Sequence, residues 1–252
     1  MLLAIDIGNT TIALGLIVRK KVLRVFHIET VLPQNVLRKK IRTTCLALAR
    51  QSPKLKGIVI CSVVPQRLAL VQSTVEKIFG IKPVVIGKDV LVPVKNRYRN
   101  PKQVGQDRLV GAYAAMVLYG APSIIIDFGT AITFDVISSK KEYLGGIIVP
   151  GIRLSAESLF AKTALLPKIH IKGPKNLIGR DTQGSILSGL FYGYGAMSSG
   201  LVEQISREVR GNPKVIVTGG YIKVMQKFLK GTRHIVDEDL VFKGMELIFH
   251  KR

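Results

Sequence analysis

The chain has 252 residues, 47% hydrophobic and 21% charged. That composition can bury a core and excludes wholesale disorder, and the length suits one to two domains. Lys and Arg number 38 against 16 Asp and Glu, and the resulting formal net charge of +22 attracts anions of any size. The basic residues are dispersed, at 19–21, 38–40, 54–56, 140–141, 227–230 and 251–252, with no run of five or six like charges. This reads as a basic solvated surface, with no specific nucleic-acid partner. Cys45 and Cys61 have neither CxxC spacing nor a nearby histidine pair, which argues against a metal site or a disulfide framework and for a reduced, cytoplasmic protein. The apolar N-terminus is interrupted by Asp6, Asn9, Thr10 and Thr11 with no basic region before it, so it reads as neither a signal peptide nor a membrane span.

Strands alternate with helices, the pattern of an α/β fold. Residues 2–6, 11–18 and 21–28 read as three strands with tight connections, 37–50 as a helix, 57–61 as a strand, 68–79 as a helix and 83–86 as a strand. Residues 88–103 form a loop rich in Pro, Lys, Arg and Asn, and 106–118 return to helical spacing. A second pass follows: strands at 123–127, 131–137 and 143–149, and a helix at 152–162. After a loop at 167–180 come one long helix over 183–209, a strand at 214–217, a helix at 222–229, a strand at 233–236 and a closing helix at 239–249.

The two passes share a signature. Ala4-Ile5-Asp6-Ile7-Gly8-Asn9-Thr10-Thr11 and Ile125-Ile126-Asp127-Phe128-Gly129-Thr130-Ala131-Ile132 both read apolar-apolar-Asp-apolar-Gly, then polar residues and a second strand. Aligned without a gap, Thr11 falls on Ile132. We read two similar domains, residues 1–120 and 121–252, each with one Asp-Gly hairpin, facing each other across a cleft.

Such a hairpin suits phosphate. The Gly lets an anion approach the backbone, and amides and Thr hydroxyls donate to its oxygens. The Asp cannot bind phosphate directly, so its natural partner is a cation that neutralises the phosphate. One copy alone is ordinarily only a turn; two at matching places point to a nucleotide. Val215-Ile216-Val217-Thr218-Gly219-Gly220 adds a strand that opens onto Gly-Gly before a helix, a turn that admits a ring or ribose close to the backbone.

With these residues in view, the chain resembles the acetate/sugar kinase, Hsp70 and actin superfamily and, within it, the type III pantothenate kinases. The resemblance rests on DIGNT (6–10), CSVVP (61–65), YRNPKQVGQDR (98–108), DFGTAITFD (127–135), GGIIVPG (145–151), GRDTQGS (179–185) and TGG (218–220). It implies two actin-like (ribonuclease H-like) domains, each a mixed five-stranded sheet with flanking helices. It implies transfer of the γ-phosphoryl of ATP to pantothenate, the first step towards coenzyme A, by a homodimer.

The same resemblance assigns roles. Asp107 is the catalytic base. Asp6, Ile7, Gly8, Asn9, Thr10, Thr11, Ile12, Ala13, Thr130 and Gly219 bind ATP, with Asp6 holding Mg²⁺ through water. Asp127 binds a monovalent cation, K⁺ or NH₄⁺. Tyr98, Gly105, Gln106, Asp107, Arg108 and Thr182 line the pantothenate pocket. Gln106 stands where the family usually has Ala, and its side chain could point into the pocket or away from it. Asp107 in a first helical turn is expected to stay ionised under the helix dipole, and Arg108 can pair with the carboxylate of pantothenate. The alternatives are a non-catalytic regulatory relative, a kinase of the same superfamily acting on another small metabolite, and a basic nucleic-acid binder.

Overall fold

The computed structural model describes residues 1–51, 55–209 and 211–251, which form two compact units. The first comprises Met1–Val117 together with the chain from Asp239 onward; the second comprises Leu118–Glu238.

The first unit opens with three antiparallel strands, β1 (Leu2–Ile7), β2 (Thr11–Val18) and β3 (Lys21–Glu29). Helix α1 (Gln34–Gln51) buries Leu37, Ile41, Cys45 and Leu48, a spacing of three to four that forms one apolar stripe. Strand β4 (Gly57–Ser62) lies parallel to β1, and β5 (Val84–Val85) parallel to β4. Between them runs α2 (Pro65–Phe79), which starts on a proline at its first turn and stops at Gly80 in the left-handed conformation. The sheet order is β3-β2-β1-β4-β5. A short extended segment, β6 (Lys95–Asn96), and a 3₁₀ turn (Pro101–Gln103) break up the loop expected over 88–103, and α3 (Gln106–Tyr119) follows.

The second unit repeats the plan. Strands β7 (Ser123–Phe128), β8 (Ala131–Ile137) and β9 (Glu142–Pro150) are antiparallel neighbours, with β10 (Lys214–Thr218) parallel to β7 and β11 (Ile235–Val236) parallel to β10. Its strands run β9-β8-β7-β10-β11, the same order as the first unit read in its own numbering. Helices α4 (Ile152–Lys162), α5 (Thr182–Ser188), α6 (Tyr194–Val209) and α7 (Ile222–Met225) pack around a core that includes Ile126, Phe128, Phe134 and Phe191. The long helix expected over 183–209 is interrupted: Gly189–Gly193 form a π-helical turn between α5 and α6. Its apolar spacing continues through the turn, so periodicity alone does not show the break.

The closing helix, α8 (Leu240–Lys251), belongs to the first unit, whereas a division of the chain at residue 120 leaves it in the second. Phe242, Met245, Ile248 and Phe249 join Leu2, Ala4, Ile17 and Val59 in one apolar cluster. Two glycines open space for its rings: a Cβ on Gly15 would lie 2.8 Å from the Phe242 ring, and one on Gly57 2.3 Å from that of Phe249. Each buried ring contributes roughly 1.5–3 kcal/mol. Among the described residues, no helix is long and apolar enough to cross a membrane.

Candidate active site

Asp6 is the penultimate residue of β1, half-buried, and pairs in register with Ala13 on β2 and Cys61 on β4. The hairpin that follows is closed by the Gly8 amide, which donates to the Thr11 carbonyl (3.0 Å). It is braced from β3's end by Thr30, whose amide donates to the Thr10 carbonyl (2.9 Å) and whose hydroxyl donates to the Gly8 carbonyl (2.7 Å). The Gly8 N–H is thus taken up in closing its own turn, which leaves Asn9, Thr10 and Thr11 at the tip. Ile7 and Ile12 are fully buried and form part of the core, so only their backbone can face a ligand.

The second hairpin has the same build with one residue fewer. The Gly129 amide donates to the Ala131 carbonyl (3.2 Å), and Phe128 pairs with Ile132, where the first hairpin pairs Ile7 with Ile12. Thr11 therefore corresponds to Ala131, and the gapless alignment that set it on Ile132 is corrected by one position. Asp127 pairs with Thr133 on β8 and with Thr218 on β10.

The Thr218-Gly219-Gly220 turn closes on this hairpin. Gly219 has φ +97°, and a Cβ there would lie 2.3 Å from Oδ1 of Asp127 and 2.6 Å from the Phe128 backbone. The Tyr221 amide donates to the Phe128 carbonyl (3.1 Å). Gly151 approaches from the other flank: its amide donates to the Thr130 carbonyl (3.0 Å), and a Cβ there would lie 2.2 Å from that oxygen. Asp127, Thr130 and Gly219 are thus gathered around one strand end, with backbone approaches that only glycine permits. Thr182, by contrast, is exposed in the first turn of α5, whose N-cap is Asp181, with Oδ1 accepting from the Gly184 amide (2.6 Å).

In the first unit, Asp107 is the second residue of α3, and Oδ1 accepts from the Arg108 amide (2.8 Å). A Cβ on Gly105 would lie 2.5 Å from that same oxygen and 3.4 Å from Val63, so the chain after β4 packs against the start of α3. Burial pushes the Asp107 carboxyl above its ordinary value, and the amide and guanidinium of Arg108 offset only part of the rise.

Cys61, quoted in the CSVVP segment without a role, turns out to be the neighbour common to both acids. It is fully buried, and its thiol is held well above its usual range by burial first, then by the charges of Asp6 and Asp107. No residue-type signal marks this, because a buried cysteine in a strand ordinarily only fills space. Gln106 turns its side chain onto Gly87, in the turn after β5. Tyr98 is half-buried in the connection to α3, where its amide donates to Oδ1 of Asn96 (2.9 Å).

A family model for type III pantothenate kinase matches residues 2–204 of this chain. The chain belongs to the type III pantothenate kinase family. It is 42% identical over 251 residues to a type III pantothenate kinase of Persephonella marina, covering 99% of this chain and 98% of that protein. It is 37% identical to one of Halalkalibacterium halodurans over 253 residues, covering 100% and 99%. Among solved structures, this pantothenate kinase family member is similar in fold to the ethanolamine utilization protein EutJ of Carboxydothermus hydrogenoformans, with TM-score 0.53, 14% identity, and 98% and 89% of the two chains covered. It is likewise similar to an activator of 2-hydroxyisocaproyl-CoA dehydratase from Clostridium difficile with bound ADPNP, with TM-score 0.50, 14% identity, and 99% and 94% covered. These two likenesses concern the fold, which is the actin-like one.

Proposed function

We propose that this chain transfers the γ-phosphoryl group of ATP to the primary hydroxyl of pantothenate, the first step towards coenzyme A. The observation that carries the reading is the full-length likeness to type III pantothenate kinases, combined with a half-buried Asp-Arg pair at the head of α3.

Asp107 is the catalytic base in this reading. The pantothenate hydroxyl oxygen forms its bond to the γ-phosphorus, the bond from that phosphorus to the β,γ-bridging oxygen breaks, and the hydroxyl proton passes to the Asp107 carboxylate. A carboxyl raised above its usual range by burial is better matched to that proton than an ordinary Asp. The phosphoryl-transfer transition state is loose and the proton leaves late, so orientation counts as much as basicity. Arg108, the next residue, supplies a guanidinium for the carboxylate of pantothenate. Tyr98, Gly105, Gln106 and Thr182 complete the acceptor residues in the proposal, Gln106 through the start of α3 and not by reaching into the pocket.

The tip of the first hairpin, with Asn9, Thr10 and Thr11, takes phosphate oxygens, and Gly219 with Thr130 takes the nucleotide in the second unit. Magnesium fits Asp6. Among the described residues no group of three His, Cys, Asp or Glu side chains is placed to hold a metal, and Mg²⁺ in nucleotide sites is held by one or two carboxylates with phosphate and water. The ion, when bound with ATP, neutralises charge that develops on the phosphates. Asp127 fits a monovalent cation, K⁺ or NH₄⁺: its oxygen lies over Gly219 where any side chain would fill the space.

The protein is a homodimer in this proposal. Supporting it, the second unit leaves Ile148 on β9, Leu154 and Phe160 on α4, and Leu165 beyond it exposed. A cytoplasmic setting agrees with two free, buried thiols.

The test is steady-state turnover with ATP and Mg²⁺, with and without K⁺, offering pantothenate beside acetate and sugars. Turnover of pantothenate alone, stimulated by K⁺, is expected. Turnover only with another acceptor overturns the substrate, and no ADP with any acceptor overturns the kinase reading in favour of a regulatory relative.

A further inference from the structure

The first unit contains a cavity of about 730 Å³ at the ends of β1 and β2 away from the Asp6 hairpin. Leu2 and Ile17, paired in register there, contribute to its wall, and the same strands run on to Ile7 and Ile12 at the hairpin. The remaining apolar wall comes from α8, through Leu247 and Phe249, and from Tyr113 on α3.

The rim is basic. Arg19, Lys20, Lys56 and Lys251 all line the cavity and all are exposed. The Lys251 ammonium lies 5.8 Å from the Tyr113 ring centroid. The single carboxylate in the lining, Glu246, is buried; it accepts from the Lys20 amide (2.6 Å), and His250 Nε2 stands 3.9 Å away. Against this one carboxylate the rim sets four exposed cations, so the lining keeps a surplus of positive charge.

The turn that carries two of those cations breaks a local rule. Arg19 and Lys20 have φ +48° and +65°, a two-residue hairpin loop that normally takes Asn-Gly. Long cationic side chains at left-handed positions carry strain, and here they stand at the mouth of a cavity.

We infer that this cavity is a binding site for a small amphipathic organic anion, with a phosphate, sulfonate or carboxylate head on the lysine-arginine rim and an apolar body against Tyr113, Leu247 and Phe249.

The test uses the full-length protein and 1-anilinonaphthalene-8-sulfonate, read by fluorescence at low ionic strength; the chain has no Trp to interfere. Saturable binding to the wild type is expected. The double variant Lys56→Glu/Lys251→Glu should bind at least tenfold more weakly, with melting temperature and pantothenate turnover unchanged. Leu247→Gln, which keeps the rim charge, should also weaken dye binding. Equal dye affinity in the charge-reversal variant overturns the site. Displacement of the dye by inorganic phosphate beyond a chloride control of matched ionic strength assigns the cavity to bare oxyanions and overturns the amphipathic reading.

Discussion

Gln106 lays its side chain across Gly87. A Cβ built on that glycine would sit 2.7 Å from Cδ of Gln106, and the glycine itself has φ +84°. The contact joins the turn after β5 to the first residue of α3, one position before Asp107. Gly87→Ala therefore meets a strained backbone, on the order of 1–3 kcal/mol, whereas the Gln106 side chain, flexible at its far end, can swing away from the new methyl. Its melting temperature should fall while kcat stays near wild type. Gln106→Ala removes only the side chain and should keep the fold and most of the turnover, which thermal denaturation and steady-state kinetics check together.

Asp107→Asn should lower kcat by roughly 10²–10⁴, the usual worth of a general base. Burial raises the folded pKa of this carboxyl above its unfolded value. The group's contribution to stability is therefore full below the unfolded pKa and is lost as pH rises through the folded one. At neutral pH the ionised form burdens the fold, so Asp107→Asn should melt at an equal or higher temperature than wild type while turning over poorly. In wild type, the acid limb of kcat/KM should lie above the ordinary carboxylate range. A wild-type limb at the value of a free Asp removes Asp107 from the role of base.

The strand-helix order and the repeat were legible because β1–β2 and β7–β8 each carry an apolar-Asp-apolar-Gly signature whose spacing survives in the structure. Three features were not legible, each for a different reason. The π-helical turn at Gly189–Gly193 keeps the apolar spacing of a continuous helix, so a periodicity reading passes over it. The placement of α8 depends on which sheet has room for Phe242 and Phe249, and that is decided by Gly15 and Gly57, far off in the chain. The raised pKa of Asp107 and its shared neighbour Cys61 come from burial and from strand register, neither of which is a property of the residues beside them in sequence.

Gly219→Ala tests the second hairpin. The new methyl would lie 2.3 Å from the Asp127 carboxylate and 2.6 Å from the Phe128 backbone, at φ +97°. Backbone strain and overpacking are each on the order of 1–3 kcal/mol, and Phe128, being backbone there, cannot swing aside. Urea denaturation should show the loss of stability. The KM for ATP should rise more than the KM for pantothenate, because the turn sits against Asp127; equal effects on both substrates detach Gly219 from the nucleotide.

The buried pair in the second unit gives a purely structural control. Tyr143 is fully buried and its hydroxyl donates to Oδ1 of Asp135 (2.6 Å), while Thr133 donates to Oδ2 (3.2 Å). Tyr143→Phe keeps the ring in the core but removes one donor from a carboxylate that is itself buried. Losing a partner from a buried polar group costs about 1–3 kcal/mol, and more for a charged one. The urea midpoint should fall by at least that equivalent with no change in the denaturant slope. At a temperature where both proteins are folded, kcat and both KM values should match wild type, since β8 and β9 meet the Thr130 turn at their other ends, Ala131 opposite Pro150.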